Sequence, residues 1–173
     1  MARYLDPAAA LAFRTPLHEH VHAADGKAAG ILTLLGLMFT VLARLGNALS
    51  DLLQQEGYVR LAVVGLLAAF SAAALGSVIQ AFRTIAPRFP PSPPTLAFFG
   101  DIARLTREEY VARVRSLTAA QALGEMLAYN HTNARIIVAK FRQLVLCFRF
   151  FRAAVLCWLL LTSALAYRVL HHA

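Results

Sequence analysis

Charge is absent from residues 61–79 of this 173-residue chain: LAVVGLLAAFSAAALGSVI holds no charged, amide or histidine side chain. As a helix rising about 1.5 Å per residue, the run spans roughly 28 Å, close to the ~30 Å hydrocarbon thickness of a bilayer. A soluble bundle with nineteen such residues to bury among 173, in a chain that is 59% hydrophobic, is strongly disfavoured. Cysteine is scarce: Cys147 and Cys157 lie ten residues apart on one predicted helix, on different faces. That placement excludes a disulfide between them, and neither has the neighbour spacing of a metal or redox motif. Acidic side chains are also few, nine against 17 Lys and Arg, for a formal charge of +8. The position of that charge makes it an orientation signal rather than a sign of a nucleic-acid partner.

Two further apolar segments accompany the first. Residues 28–45, AAGILTLLGLMFTVLARL, carry only Arg44, at the end where its stem reaches the headgroups. Residues 153–167, AAVLCWLLLTSALAY, are fifteen uncharged residues that reach full span length with Phe150, Phe151 and Val169. Between the second and third segments, residues 82–152 hold eleven Lys and Arg against Asp101, Glu108, Glu109 and Glu125, a balance of 11 − 4 = +7. The turn between the first two segments is nearly neutral, so the positive-inside rule predicts the N-terminus and residues 82–152 in the cytoplasm, and the first turn and the tail outside. No secretory signal peptide is expected, since Arg14 interrupts the short AAALAF run.

Local signals divide the chain further. Thr15 followed by Pro16 predicts a helix start that runs directly into the first span. A polar turn is expected over residues 46–57. APRFPPSPP, residues 86–94, holds five of the seven prolines and reads as a stiff extended linker. Thr106 with Glu109 predicts a capping box, and Thr118 with Gln121 a second, after which a helix can run unbroken from Ala119 into the third span. Along it Leu123, Leu127, Ala134, Ile137, Phe141, Leu144, Phe148 and Phe151 step by threes and fours with Asn130 in the series, predicting a heptad seam. The expected fold is all-α, with three transmembrane helices and a cytoplasmic helical bundle. Its parts are an N-terminal cytoplasmic helix (1–27), the first two transmembrane helices (28–81), the Pro-rich linker with the cytoplasmic subdomain (82–152), and the third transmembrane helix with a short tail (153–173).

Three constellations carry candidate chemistry. His18-Glu19-His20-Val21-His22 satisfies H-E-x-x-H, which in zincins places two imidazoles on one face and a glutamate as general base. No third ligand has a recognisable motif, because Asp25 falls at i+7 from His18, so a polar juxtamembrane helix is the stronger reading. Asp25, Gly26 and Lys27 form a second group at the edge of the first span. The third is YNHTNARIIVAKFRQL, residues 129–144, where Asn133 and Lys140 share one face and His131, Arg135, Arg142 and Arg149 form a stripe. The stripe suits anionic headgroups, and Lys, Arg, His and Asn in one crevice equally suit a small anionic ligand.

ADGKAAGIL at 24–32, FFGDIARLTREEY at 98–110 and NHTNARIIVAKFRQL at 130–144, in this order and each beside a span, resemble the Pycsar transmembrane effector family of bacterial anti-phage defence. The resemblance covers roughly residues 15–170. It implies a non-enzymatic effector of the bacterial inner membrane that responds to cyclic CMP or cyclic UMP and compromises the membrane so that the infected cell stops growing. It carries no catalytic residue, metal or cofactor onto this chain. The ligand residues expected from the chain's own chemistry are Asp25, Lys27, Asp101, Arg104, His131, Asn133, Arg135 and Lys140. The other expected partners are the lipid bilayer and further copies of the chain, with no nucleic acid. The competing classes are a membrane-embedded zinc protease using HEHVH and a scaffold whose basic surface binds anionic lipid.

Overall fold

The structure, a computed structural model, describes residues 14–87 and 95–172, with side chains described over 19–87 and 95–170. All regular structure among them is helical: α1 (Arg14–Arg44), α2 (Gly46–Leu53), α3 (Tyr58–Ile85), α4 (Phe99–Ile102), α5 (Arg107–Ser116) and α6 (Ala119–His172). Three of these helices, over Glu19–Arg44, Tyr58–Ile85 and Ala119–Leu170, are long and apolar enough to cross a membrane. The chain divides into two compact units, one of Met1–Ala23 and Ala86–Phe141 and one of Ala24–Ile85 and Arg142–Ala173. We call them the polar unit and the membrane unit.

In the membrane unit each long helix buries residues at alternating steps of three and four. On α1 these are Ala24, Ala28, Ile31, Leu35, Met38 and Leu42; on α3 they include Phe70, Ala74, Ser77, Ala81 and Thr84. A repeat near 3.5 residues keeps one face of each helix against its neighbours, as in left-handed coiled packing. Cross-helix contacts set the directions. The Phe39 and Phe70 rings lie 5.0 Å apart between α1 and α3, and the Trp158 indole N–H of α6 donates to the Met38 carbonyl of α1 at 3.1 Å. The Ser77 hydroxyl of α3 donates to the Cys147 carbonyl of α6 at 3.3 Å, and the Cys147 thiol returns a bond to the Ser77 carbonyl at 3.3 Å. An up-down-up arrangement follows: α1 and α6 run parallel and α3 runs against both. Hydroxyls inside the spans bond back to their own helices, Thr40 to the Gly36 carbonyl and Thr162 to the Trp158 carbonyl, each at 2.9 Å. Such bonds pair these two hydroxyls within their own helices instead of leaving them bare toward lipid.

The membrane unit corrects two expectations. Residues 46–57 are not simply a turn, because GNALSDLL forms α2 and buries Leu52. The leucines at 45, 49, 52 and 53 give this stretch a helical period that its polar residues mask. The reversal falls later, at Gly57, whose φ of 78° lies in the left-handed region that glycine enters without a Cβ clash. The second correction concerns the α6 seam. Its fully buried positions are Leu144, Cys147, Ala154, Leu161 and Leu165, whereas Phe148, expected on the seam, is 39% exposed. In lipid a large apolar side chain gains little by turning inward, so close-packed interfaces select small residues and release the large ones outward. At Gly76 of α3 a Cβ would meet the Phe150 ring at 2.8 Å, which marks how closely α3 and α6 approach.

Thr15's side chain and residues 88–94 of the Pro-rich stretch lie outside the described parts. The continuous first helix is present, since α1 runs from Arg14 to Arg44. So is the predicted unbroken last helix, α6, whose 54 residues amount to about 80 Å.

Candidate functional site

The polar unit is built from short elements held by local hydrogen bonds. Thr106 caps α5 in a full capping box: its hydroxyl accepts from the Glu109 N–H at 3.2 Å, and the Glu109 carboxylate accepts from the Thr106 N–H at 2.9 Å. That backbone bond and then the Thr106 hydroxyl hold the Glu109 carboxyl below its usual range against an opposing effect of desolvation, with a lesser contribution from the nearby Arg113 charge. Thr118 and Gln121 repeat the device at the start of α6, where the Gln121 amide oxygen accepts from the Thr118 N–H at 2.9 Å. Only Leu117 and Thr118 separate α5 from α6. A connection this short turns the second helix back along the first.

Two carboxylates then fasten the segment that precedes α4. Asp101 accepts from the Thr95 N–H at 2.9 Å and Glu125, on α6, from the Leu96 N–H at 2.7 Å. The Thr95 hydroxyl accepts in turn from the Phe98 N–H at 3.2 Å. Phe98 is buried, stacks against Phe99 with ring centroids 4.8 Å apart, and lies over Gly100, where a Cβ would sit 2.9 Å from its ring. Residues 95–98 thus become a fixed wall although they have no regular structure.

Two adjoining cavities border this segment. The first, about 410 Å³, is lined by Asp101, Arg104, Arg113 and Glu125 among polar residues and by Leu96, Leu105 and Leu117 among apolar ones. The second, about 380 Å³, takes Tyr110 and Val114 from α5 and Ala122, Met126 and Tyr129 from α6, and it shares Leu96, Leu117 and Glu125 with the first. In the first cavity both carboxylates are engaged by backbone N–H groups. Neither guanidinium makes a hydrogen bond or ion pair among the described residues. Its guanidiniums can donate to a small anion, while Asp101 and Glu125 balance the cavity's formal charge.

The residues expected to hold a ligand are distributed unevenly. Asp101 and Arg104 share the first cavity. His131, Asn133, Arg135 and Lys140 lie further along α6 in the polar unit, His131 and Arg135 exposed, Asn133 half-buried and Lys140 only 5% exposed. Asp25 and Lys27 belong to the membrane unit, the first half-buried and the second exposed. The Arg142 and Arg149 stripe is exposed as expected. Among the described residues no three His, Cys, Asp or Glu side chains group as metal ligands, and the His18 side chain lies outside the described set. Arg113, Glu125, Tyr110 and Tyr129 were not singled out from the sequence. The signal that reaches them is the short α5–α6 connection, which sets α5 residues at 110, 113 and 114 opposite α6 residues at 122–129.

Three helices long and apolar enough to span a bilayer, with a second compact unit of shorter helices that encloses a polar cavity, define an all-α membrane protein. The family profile of the Pycsar effector protein domain matches residues 10–167, and the chain belongs to this family. Membership makes it an anti-phage defence effector associated with the membrane, in a system whose signal is a cyclic nucleotide. Comparison with curated proteins and with solved structures gives no match.

Proposed function

We propose that this chain is the membrane-impairing effector of an anti-phage system, activated by a cyclic pyrimidine nucleotide and stopping growth of the infected cell without catalysis. The observation that carries the proposal is the family match over residues 10–167, which includes the first two apolar helices, all but the last three residues of the third, and all of the polar unit from residue 10 onward. The spans themselves supply the means of damage. Leu34, Leu37, Leu75, Leu156 and Leu160 leave broad apolar faces outward, suited to contact with lipid tails.

Activation in this proposal is a population shift. A ligand favours one arrangement only through tighter binding to it, and moving an equilibrium from 1:99 to 99:1 takes about a 10⁴-fold difference in affinity. Contacts to a charged phosphodiester are strong enough to supply much of that. α6 contributes to both units as one helix, which offers a path by which an altered tilt of its polar half reaches its apolar half. The N-terminus and polar unit face the cytoplasm, where the nucleotide is made, and the exposed basic residues Arg83, Arg104, Arg107, Arg113 and Arg115 sit on that side.

The test is reconstitution. Purified protein in anionic liposomes should release an entrapped dye on addition of cyclic CMP or cyclic UMP, and cells that make the nucleotide should arrest only when the protein is present. Fusions should place residue 115 in the cytoplasm and the tail outside. Dye release that persists without nucleotide, or arrest abolished by Glu19→Gln together with zinc in the purified protein, would refute the proposal, the latter in favour of a protease.

A further inference from the structure

The two cavities of the polar unit differ in character yet share a wall. One presents two guanidiniums without hydrogen bonds or ion pairs among the described residues. The other is apolar and carries two tyrosine rings. Each falls within the roughly 300–1,000 Å³ typical of small-molecule pockets. Leu96, Leu117 and Glu125 border both, so the cavities adjoin, and a ligand lying along that shared edge meets guanidiniums at one end and aromatic rings at the other.

Resting on the proposed response to a cyclic pyrimidine nucleotide, we infer that these two cavities form one bipartite seat for that nucleotide. The phosphodiester lies between Arg104 and Arg113, and the pyrimidine ring enters the chamber of Tyr110, Met126 and Tyr129. The assignment follows from charge and surface. A cyclic nucleotide holds its single negative charge on two phosphate oxygens outside the ring, which two planar guanidiniums can share by charge-assisted hydrogen bonds. Its base is flat and apolar on its faces, and stacks on aromatic rings whatever its identity. Glu125, on the wall between them, bonds to the Leu96 N–H through Oε2. Its second carboxylate oxygen is an acceptor for the N–H groups on a pyrimidine's edge.

Asp101 serves the seat indirectly. Through the Thr95 N–H it holds the 95–98 wall, and its negative charge, near the two arginines, keeps the empty cavity from being a strong trap for inorganic anions. This makes Asp101 a positioning residue and separates its role from those of Arg104 and Arg113. None of the three is buried deeply: Arg104 and Arg113 are exposed and Asp101 is half-buried, so the arginines can be changed without opening a core.

The experiment is calorimetry with cyclic CMP and cyclic UMP on the full-length protein in detergent, alongside dye release from liposomes. Arg104→Gln and Arg113→Gln should each weaken binding by about 10- to 100-fold, the worth of a hydrogen bond to a charged group. Each should also flatten the dependence of affinity on salt, while far-ultraviolet helicity and melting stay unchanged. Arg113→Lys should recover part of the loss, since it restores charge without the planar fork. Tyr129→Ala should weaken binding with the salt dependence intact, as loss of stacking does. Arg107→Gln, exposed on α5 and outside both cavities, should bind as the wild type does. If the wild type binds and releases dye but both arginine variants bind equally well, the seat is wrong and the effector reading stands. If the wild type binds neither nucleotide, seat and reading fall together. Equal loss in Arg107→Gln and in the Arg104 and Arg113 variants points to diffuse electrostatic attraction and overturns the seat.

Discussion

Gly76→Ala tests the packing of the membrane unit most directly. A Cβ built on Gly76 meets three atoms of the Phe150 ring at 2.8, 3.0 and 3.0 Å, against 3.4–4 Å for ordinary contact. The ring must therefore retreat by roughly 0.5–1 Å, or α3 and α6 must separate. Over-packing of this kind costs about 1–3 kcal/mol. Phe150 is 39% exposed and has room to swing outward, which puts the expected cost near the lower end, about 1 kcal/mol. Gly65, on the same helix, has nothing within 4 Å, so Gly65→Ala should be neutral or stabilising by up to about 1 kcal/mol through helix propensity alone. Unfolding in mixed micelles, followed by helicity, reads both. A double-mutant cycle completes the argument: in a Phe150→Ala background the penalty of Gly76→Ala should vanish, because its cause has been removed. Equal stability of Gly76→Ala and Gly65→Ala, or a penalty that survives Phe150→Ala, would refute the close approach of α3 and α6 at this level.

Three smaller effects should accompany it. Ser77→Ala, which removes the hydroxyl's bond to the Cys147 carbonyl and leaves the thiol's bond to the residue 77 carbonyl in place, should destabilise by about 0.6 kcal/mol, the mean for hydrogen bonds between transmembrane helices, read in the same micelle assay. Gly57→Ala places a side chain at a φ of 78° and should cost about 1–2 kcal/mol; an unchanged midpoint would mean the turn relaxes. Glu109 has a folded-state pKa below its unfolded value of about 4.3, so its support of α5 is complete above that value and is lost as pH falls through the folded one. Carboxyl titration by NMR should find Glu109 below the usual range and Thr106→Ala raising it part of the way, since the residue 106 N–H remains; an unmoved midpoint would remove the hydroxyl from the explanation.

Much of the architecture is written in short stretches of chain. An uncharged run of nineteen residues has few structural options other than a span, because backbone hydrogen bonds in lipid must close within the segment. Thr106 with Glu109 and Thr118 with Gln121 are local bonds three residues apart, so they were legible as pairs and formed as pairs. Family membership was legible for a similar reason, since its marks are contiguous segments in a set order.

Tertiary structure decided what depends on faces and on distance along the chain. Hydrophobicity does not tell Cys147 from Phe148 in a helix surrounded by lipid, and only the approach of Ser77 from α3 made the smaller residue the buried one. The cavities are the same kind of case. Arg104, Arg113, Glu125 and Tyr129 span 26 positions without a common motif. They come together because a two-residue connection folds α5 along α6, and because Asp101 and Glu125 tie residues 95–98 into a wall by backbone bonds that no spacing rule anticipates. Elements and caps are short-range and follow from residue order, while a binding surface is long-range and exists only once the helices have chosen their neighbours.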